Sequence, residues 1–317
     1  MKAIELNKYG APENLEMKEL EKPSPKENEV LIKIHATTVT SGDARMRRAD
    51  PFVIRLIFGY KRPRKPVLGV VVAGEIEAIG STVSTYKTGD KVFGSTGMNF
   101  GAHAEYVCVP EDAVLALKPG NMNYQEAAAI PFGATASMHF LRLANIQKGQ
   151  KVLINGASGA LGTMAVQLAR NYGAEVTAVC SASNFALVKS LGADHLIDYT
   201  SEDFSKNGER YDVIFDTVGK ISIWKGLRSL NNKGQLLLAS AGLGTMLGGS
   251  LASLIMRKKI RSGVIKETID DMNYFRQKIE EGKLKAVIDK TFTLEDLAEA
   301  HSYVDKGHKK GNVVIAV

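Results

Sequence analysis

The spacing of hydrophobic and polar positions changes once along the chain, near residue 124. Before that point apolar residues alternate with polar ones or form short blocks between turn residues. Val30-Leu-Ile-Lys-Ile-His-Ala36 alternates. A Val/Ala/Ile run over 69–80 carries glycines at 69, 74 and 80. Gly89-Asp90 leads into Lys91-Val92-Phe93-Gly94, and Ala104-Glu-Tyr-Val-Cys-Val109 is closed by Pro110. Short strands between glycine turns predict a barrel-like β domain. From Tyr124-Gln-Glu-Ala-Ala-Ala129, which reads as a helix start, the pattern turns to strand–helix alternation. Strands are predicted over 151–155, 175–179, 195–197, 211–216 and 235–239. Helices are predicted over 160–172, 184–191 and 221–230. Apolar strands alternating with helices predict a parallel sheet covered on both faces. The tail is mixed, helical over 268–281 and 293–306 and a strand over 312–317. The expected organisation is a discontinuous β domain, residues 1–123 plus 267–317, around a nucleotide-type domain spanning 124–266.

Composition narrows the class without changing that picture. The 317 residues are 44% hydrophobic and 24% charged, with 30 Gly, 9 Pro and 2 Cys. This is a globular composition, and a chain of this length commonly splits into two domains. Cys108 and Cys180 supply neither a disulfide framework nor a Cys-rich zinc site. A reducing cytoplasm is therefore the expected compartment. Met1-Lys2-Ala3-Ile4-Glu5 has no apolar run and no cleavage site, so no signal peptide is expected. The net charge is +7. Its densest basic stretch, 45–65, contains one acid, Asp50. The excess is small for the length and suits an anionic ligand such as a phosphorylated cofactor, so no nucleic-acid partner is expected. Residues 235–256 carry no charge and are long enough to span a bilayer, but they contain four glycines and four Ser/Thr. They read as a buried strand, a Gly-rich loop and a short apolar helix, and no membrane span is expected.

The most informative stretch is Lys151-Val-Leu-Ile-Asn-Gly156-Ala-Ser158-Gly159-Ala160-Leu161-Gly162-Thr-Met-Ala. A strand enters a glycine turn and a helix follows at once. A helix N-terminus offers unpaired N–H groups and partial positive charge to a pyrophosphate. Gly159 lets the backbone approach such a ligand, and Gly162 lets the helix pack on the strand. The plainer reading, a tight strand–helix turn with no ligand, fits this setting less well. At the end of the second strand an NAD site places an acid for the ribose 2′-hydroxyl. Here the residues are Cys180-Ser181-Ala-Ser183-Asn184, with no carboxylate. Ser181, Ser183 and Asn184 can donate to a 2′-phosphate, which favours NADPH. The competing reading makes Ser183 or Asn184 the N-cap of the next helix.

Taken together, a series of motifs resembles the medium-chain dehydrogenases/reductases, and within them the zinc-free quinone oxidoreductase-like branch. The series runs through Ala36-x-x-Val39-x-x-x-Asp43-x-Arg45, Pro66-x-Leu68-Gly69-x-x-x-Ala73-Gly74 and Gly89-Asp90-Lys91-Val92-Phe93-Gly94. It continues with Ala104-Glu105-Tyr106, Ala127-Ala-Ala-Ile-Pro131-x-x-x-Thr135-Ala136 and the glycine loop. It closes with Leu191-Gly192-Ala193-Asp194-x-x-Ile197-Asp198-Tyr199, Asp216-Thr217-Val218-Gly219 and Lys310-Gly311-Asn312-Val313-Val314. The resemblance implies an α/β fold, a Rossmann-type doubly wound parallel sheet inserted in a GroES-like β-barrel catalytic domain. Zinc-dependent members carry Cys where this chain has Thr40 and His-Glu where it has Val70-Val71, and they have a four-cysteine lobe that is absent here. Its six histidines (35, 103, 139, 195, 301 and 308) show no ligand spacing. No metal site is expected.

The same resemblance implies site residues. Thr135 would face the nicotinamide, and Ser158, Gly159, Ala160 and Leu161 the pyrophosphate. Ser181, Asn184 and Tyr199 would surround the adenosine ribose and its phosphate. Val218, Gly219, Ser240 and Ala241 would sit at strand ends facing NADP(H), and Val264 and Asn312 would flank the nicotinamide half. Two features depart from the pattern. No Lys or Arg stands between Arg170 and Lys189, and Thr40 replaces the Asn usual in quinone reductases. Without a metal, a substrate carbonyl must be polarised by hydrogen bonds or an Arg. Conjugated acceptors, a quinone or an α,β-unsaturated carbonyl, need the least such help. Arg45 is the candidate for holding the acceptor oxygen, set against a surface Arg in a basic loop. Thr40 is a candidate contact, set against a strand-end Thr. Phe58 and Tyr60 are candidates for the acceptor pocket, set against core or lid roles. The expected activity is hydride transfer from NADPH to such an acceptor. The alternatives are zinc-free alcohol or aldehyde reduction and a catalytically silent NADPH sensor. A homodimer is expected, with a strand near 260–265 as its edge.

Overall fold

The computed structural model describes residues 1–240 and 258–317. The chain forms two units. The first comprises Met1–Phe132, Thr268–Glu281 and Ala286–Val317, and the second Gly133–Glu267 with Gly282–Lys285.

The first unit begins with β1 (Lys2–Leu6) and β2 (Leu15–Glu19), an antiparallel pair, followed by β3 (Glu29–Val39). Next come α1 (Ser41–Arg48), α2 (Val53–Phe58), β4 (Val71–Ile79), β5 (Lys91–Ser95), β6 (Tyr106–Pro110), β7 (Val114–Leu117) and α3 (Tyr124–Ala128). After α3 lie α4 (Pro131–Ala144), β8 (Lys151–Asn155), α5 (Ala160–Asn171), β9 (Glu175–Cys180), α6 (Phe185–Ser190) and β10 (His195–Asp198). They are followed by β11 (Tyr211–Asp216), α7 (Ile223–Arg228), β12 (Leu230–Leu238) and β13 (Lys259–Arg261). The chain then re-enters the first unit with α8 (Ile269–Glu280), β14 (Ile288–Thr293), α9 (Leu297–Asp305) and β15 (Asn312–Ala316).

In the first unit the sheet order is β14-β15-β3-β4-β5-β7, with β6 also paired to β3. β3 is the centre of this sheet. It pairs antiparallel with β15, β4 and β6, and eight of its eleven residues are buried. Val30, Ile32 and Ile34 meet Val72, Ile76 and Leu115 in one core. A second core joins Val39 and Leu68 to Leu297, Ala300 and Ile315 from the tail.

In the second unit the described strands form one parallel sheet, ordered β10-β9-β8-β11-β12-β13. This is the strand order of a Rossmann-type doubly wound sheet, with its switch point between β8 and β11. The central strands read as unbroken apolar runs because helices cover both faces. Val152, Leu153 and Ile154 of β8 are fully buried, as are Ile214 and Phe215 of β11.

Several elements differ from the sequence pattern. α1 and α2 occupy the basic stretch that carries no helical period. β12 starts five residues earlier than the run 235–239 suggests, and α9 is preceded by β14. The Gly-rich loop and short apolar helix expected within 235–256 fall mostly among residues outside those described, as does Ala241. Among the described residues no helix is long and apolar enough to cross a membrane.

Candidate active site

The site is built on the turn between β8 and α5. Gly156 has φ +78°, and a Cβ there would lie 2.6 Å from Val218 Cγ1 and 2.7 Å from Thr217 Oγ1. Gly162 is tighter still. A Cβ would lie 2.1 Å from the Gly156 carbonyl oxygen, so the first turn of α5 rests directly on the strand end. Gly133 at the start of α4 would place a Cβ 2.4 Å from the Ala160 carbonyl oxygen. Ser137 Oγ donates to the Leu161 carbonyl at 2.9 Å. The loop is thus clamped by β11's end on one side and α4 on the other.

Gly159 is different. It is the N-cap of α5, with φ −80° and ψ 177°, and no side chain caps the helix. A Cβ there would meet nothing closer than 3.5 Å. The space beside it is open, and the first-turn N–H groups of α5 lack carbonyl partners within their own helix. An anion is the natural occupant.

Ser158 carries the loop toward the end of β9. Asn184 Nδ2 donates to Ser158 Oγ at 3.2 Å and to Ser181 Oγ at 3.0 Å, and Ser181 and Ser183 Oγ lie 3.1 Å apart. Asn184 is buried, and its Oδ1 has no hydrogen-bond partner. Asn184 occupies the N-cap position of the following helix, but neither its side chain nor that of Ser183 makes a capping hydrogen bond there. The amide is turned to the phosphate loop instead. Asp198 pairs with Cys180 across β10 and β9, which puts Tyr199, 58% exposed, beside the Ser181 end. The Asp198 carboxylate is engaged by the Thr200 amide and hydroxyl, which hold its pKa below the usual range.

At the end of β11 the buried Asp216 carboxylate accepts from Asn155 Nδ2, from the Val218 and Gly219 amides and from the Ile221 amide, at 2.9–3.2 Å. It fixes the turn that carries Val218 and Gly219. A Cβ on Gly219 would lie 3.1 Å from the Ser240 carbonyl oxygen, so these two strand ends are adjacent. Thr135 on α4 is buried and donates from Oγ1 to Glu267 Oε1 at 3.3 Å. Val264, by contrast, is 92% exposed.

The remaining candidates lie in the first unit. Thr40 is the N-cap of α1. Its Oγ1 donates to Asp43 Oδ2 at 2.6 Å and accepts from the Asp43 amide at 3.0 Å, while its own amide donates to Asp43 Oδ2 at 2.8 Å. The hydroxyl is occupied as donor and acceptor. Arg45 is exposed on the same helix. Phe58 packs edge-on against Phe100, with centroids 5.7 Å apart, and Tyr60 is 68% exposed. Asn312 Nδ2 donates to the carbonyls of Ala129 at 2.8 Å and Val287 at 3.1 Å.

Residues 26–119 match the family described as alcohol dehydrogenase GroES-like domain, and residues 191–315 match zinc-binding dehydrogenase. The chain is 33% identical to the 2-methylene-furan-3-one reductase of Solanum lycopersicum, across 99% of this chain and 79% of that protein. It is 31% identical to the chloroplastic NADPH-dependent alkenal/one oxidoreductase of Arabidopsis thaliana, with the same coverage. Its structure is similar to that of the quinone oxidoreductase from Coxiella burnetii, with a TM-score of 0.90 and 28% identity, covering 100% of this chain and 99% of that one. The chain belongs to the medium-chain dehydrogenase/reductase superfamily, in its quinone oxidoreductase-like branch. It is an oxidoreductase, and its β-rich unit is the GroES-like domain of that superfamily.

Part of this superfamily holds zinc, and the residues here do not fit it. Thr40 and Val70-Val71 stand where the resemblance would need ligands, and among the described residues no group of three His, Cys, Asp or Glu is placed to hold a metal ion. A dinucleotide fits better. The open space at Gly159 and the unpartnered Asn184 Oδ1 lie at the two ends of a single hydrogen-bonded group. Sequence reasoning missed three supporting residues of this superfamily site: Asn155, Asp216 and Glu267. Asp216 stood in the quoted Asp216-Thr217-Val218-Gly219 string, and a carboxylate just before a glycine turn was the available signal. Glu267 had none, since it meets Thr135 only through the fold.

Proposed function

We propose that this chain reduces quinones and α,β-unsaturated carbonyl compounds with NADPH and without zinc. The observation that carries the reading is the open N-terminus of α5 joined to a carboxylate-free donor group, Ser158, Ser181, Ser183 and Asn184. A relative 31% identical is named an NADPH-dependent alkenal/one oxidoreductase, which supports both cofactor and acceptor class.

When bound, NADPH supplies the hydride, which leaves the acceptor as an enolate or hydroquinone anion that takes up one proton. The chain's residues do the rest. The first-turn amides of α5, from Ala160 and Leu161, hold the pyrophosphate. Ser181 and Asn184 donate to the 2′-phosphate, with Tyr199 beside the adenosine. Asp216 keeps Val218 and Gly219 in place, next to Ser240. Thr135 would face the nicotinamide of a bound cofactor, and the role proposed for Val264 and Asn312 is to flank it. Arg45 holds the acceptor oxygen and stabilises the charge that develops there. Thr40 acts by capping the helix that carries Arg45, since its hydroxyl is already committed to Asp43. Delocalisation in the acceptor allows water to deliver the proton, so no side-chain acid is required. Cys108 and Cys180 are free thiols that burial pushes up to about 11. We further propose a homodimer paired through β13, one edge of the parallel sheet among the described strands.

The test is NADPH oxidation against panels of quinones, enones and plain aldehydes. Turnover on the first two, well above the uncatalysed rate and above that on plain aldehydes, is expected. Preference for unconjugated aldehydes, or tight NADPH binding without turnover on any panel, would sink the proposal.

A further inference from the structure

Among the described residues the stretch 52–65 carries the densest group of large exposed apolar side chains. Phe52 is 62% exposed, Leu56 66%, Ile57 60% and Tyr60 68%, and Met98 beside them is 66% exposed. The helix α2 reads Val-Ile-Arg-Leu-Ile-Phe, apolar at every position but Arg55. Only its inner side is packed. Ile54 and Phe58 lie against the core around Val39 and Leu68, while Leu56 and Ile57 face outward.

The segment is firmly built. Gly59 has φ +135°, and a Cβ there would lie 2.3 Å from the Arg62 carbonyl oxygen. The Arg64 amide donates to the Phe58 carbonyl at 2.8 Å, and the Arg55 guanidinium sits over the Tyr9 ring at 4.8 Å. Lys65 Nζ donates to Asn99 Oδ1 at 2.8 Å. Phe58, Pro63 and Phe100 border a cavity of about 160 Å³, with Ile57 and Met98 on its rim. The turn following the apolar helix presents Lys61, Arg62, Arg64 and Lys65, all exposed, and no acid lies between residues 51 and 65.

An apolar projection ringed by cations matches one kind of surface well. Its apolar side chains enter the acyl boundary while its Lys and Arg meet anionic headgroups. Tyr60, aromatic with a polar tip, suits the boundary between them. A protein partner would have to be both apolar and acidic over the same few residues, and a second copy would bring the same cations against themselves. We infer that residues 52–65 dock this protein onto an anionic lipid bilayer surface, with Leu56 and Ile57 inserted and the 61–65 cations on the headgroups. This inference is independent of the reaction proposed above.

The experiment is co-sedimentation of the full chain with vesicles of phosphatidylcholine alone and of phosphatidylcholine mixed with phosphatidylglycerol. Binding at least about tenfold stronger to the mixed vesicles, and weakened by added salt, is expected. Two double variants, Leu56→Ser with Ile57→Ser and Arg62→Glu with Arg64→Glu, should each remove most of it, while NADPH binding shows that they fold. Leu56→Trp in a Trp224→Phe background should show a blue-shifted emission, quenched by brominated acyl chains, on the mixed vesicles only. Equal binding to both vesicle types would overturn the inference. So would binding unaffected by the Ser pair, or an unshifted emission from the Leu56→Trp variant, since either means adsorption by charge alone. A concentration-dependent dimer that the Ser pair dissociates, without vesicle binding, would assign the patch to a second copy and overturn it too.

Discussion

Two helix N-termini in this molecule meet the same physical demand in opposite ways. Each leaves backbone N–H groups without partners. At α1 the demand is met internally, by a reciprocal box in which Thr40 and Asp43 satisfy each other's amides. The box at α3 does the same with Asn123 and Glu126, and Thr268 caps α8. At α5 the capping position is Gly159, which has no side chain to offer. Side-chain caps are also absent at α2, α6, α7 and α9, so a missing cap alone does not mark a ligand site. What sets the α5 end apart is the open space beside a glycine N-cap, where a Cβ would meet nothing closer than 3.5 Å.

The largest effect is expected at Gly162. Gly162→Val would drive side-chain atoms into backbone that already lies 2.1 Å from a mere Cβ, and both the strand end and the helix would have to move. Overpacking of this kind costs about 3 kcal/mol or more, so the second unit should lose its cooperative urea transition. A variant that melts like the parent would show that α5 is not seated on β8 as described.

Gly159→Asp exchanges one kind of helix end for the other. The backbone at 159 is already in the extended conformation that N-caps adopt, and there is room for a Cβ. Asp should cap α5 and leave stability unchanged or higher by a few tenths, about 0.3 kcal/mol. Its carboxylate would occupy the anion's place, and NADPH affinity should fall by about 100-fold, equivalent to about 2.7 kcal/mol. Fluorescence titration of NADPH and urea melts on the same sample read both arms. Affinity that survives the exchange would remove the functional meaning of the open end.

How much of this was legible differs between the two ends. The β8–α5 turn was plain in the sequence because Gly156, Gly159 and Gly162 are each required by backbone geometry or by a ligand, and apolar runs flank them. The core strands followed from alternation in the same way. α1 was not seen, since Ser-Gly-Asp-Ala-Arg-Met-Arg-Arg has two apolar residues in eight and no period. Its only local signal is Thr40 three residues before Asp43, a spacing that marks a box once one looks for it. α2 is apolar but for Arg55 and, at six residues, too short for a period to register. The meeting of Asn184 with Ser158 spans 26 residues and depends on β8 and β9 lying side by side. Glu267 reaches Thr135 across 132 residues. Contacts of that range are products of topology, and residue spacing carries no trace of them.

Thr40→Ala breaks the closed end. It removes the cap and leaves the buried Asp43 carboxylate with fewer donors, a combined loss of about 2 kcal/mol. If the α1 end is structural, urea midpoints should fall while NADPH affinity stays within about twofold, a difference of about 0.4 kcal/mol. A change confined to affinity would mean that Thr40 contacts the ligand directly.

The smallest effect, and the most specific to the closed end, is a pH dependence rooted beneath α1. Arg47 of that helix is buried and donates from Nε to His301 Nδ1 at 3.3 Å, while the His103 ring sits edge-on to His301 with centroids 5.8 Å apart. Burial pushes both histidines below their ordinary 6.5, although Asp43 pulls His103 part of the way back. His103 and the cations Arg47 and Arg48 lower His301 further. Both rings are therefore neutral in the folded state near pH 7. The unfolded chain, with ordinary histidines, takes up protons first as pH falls. Stability contributed by the neutral rings is thus complete above about pH 7.5 and declines as pH drops through the unfolded value near 6.5. For two histidines the loss between pH 7.5 and 6.5 is at most about 0.7 kcal/mol. Urea midpoints at the two pH values measure it, and the Cε1 proton resonances assign it. Those of His103 and His301 should stay fixed between the two pH values. If either buried resonance titrates near 6.5, the polar cluster under α1 is open to water and that helix end is not closed after all.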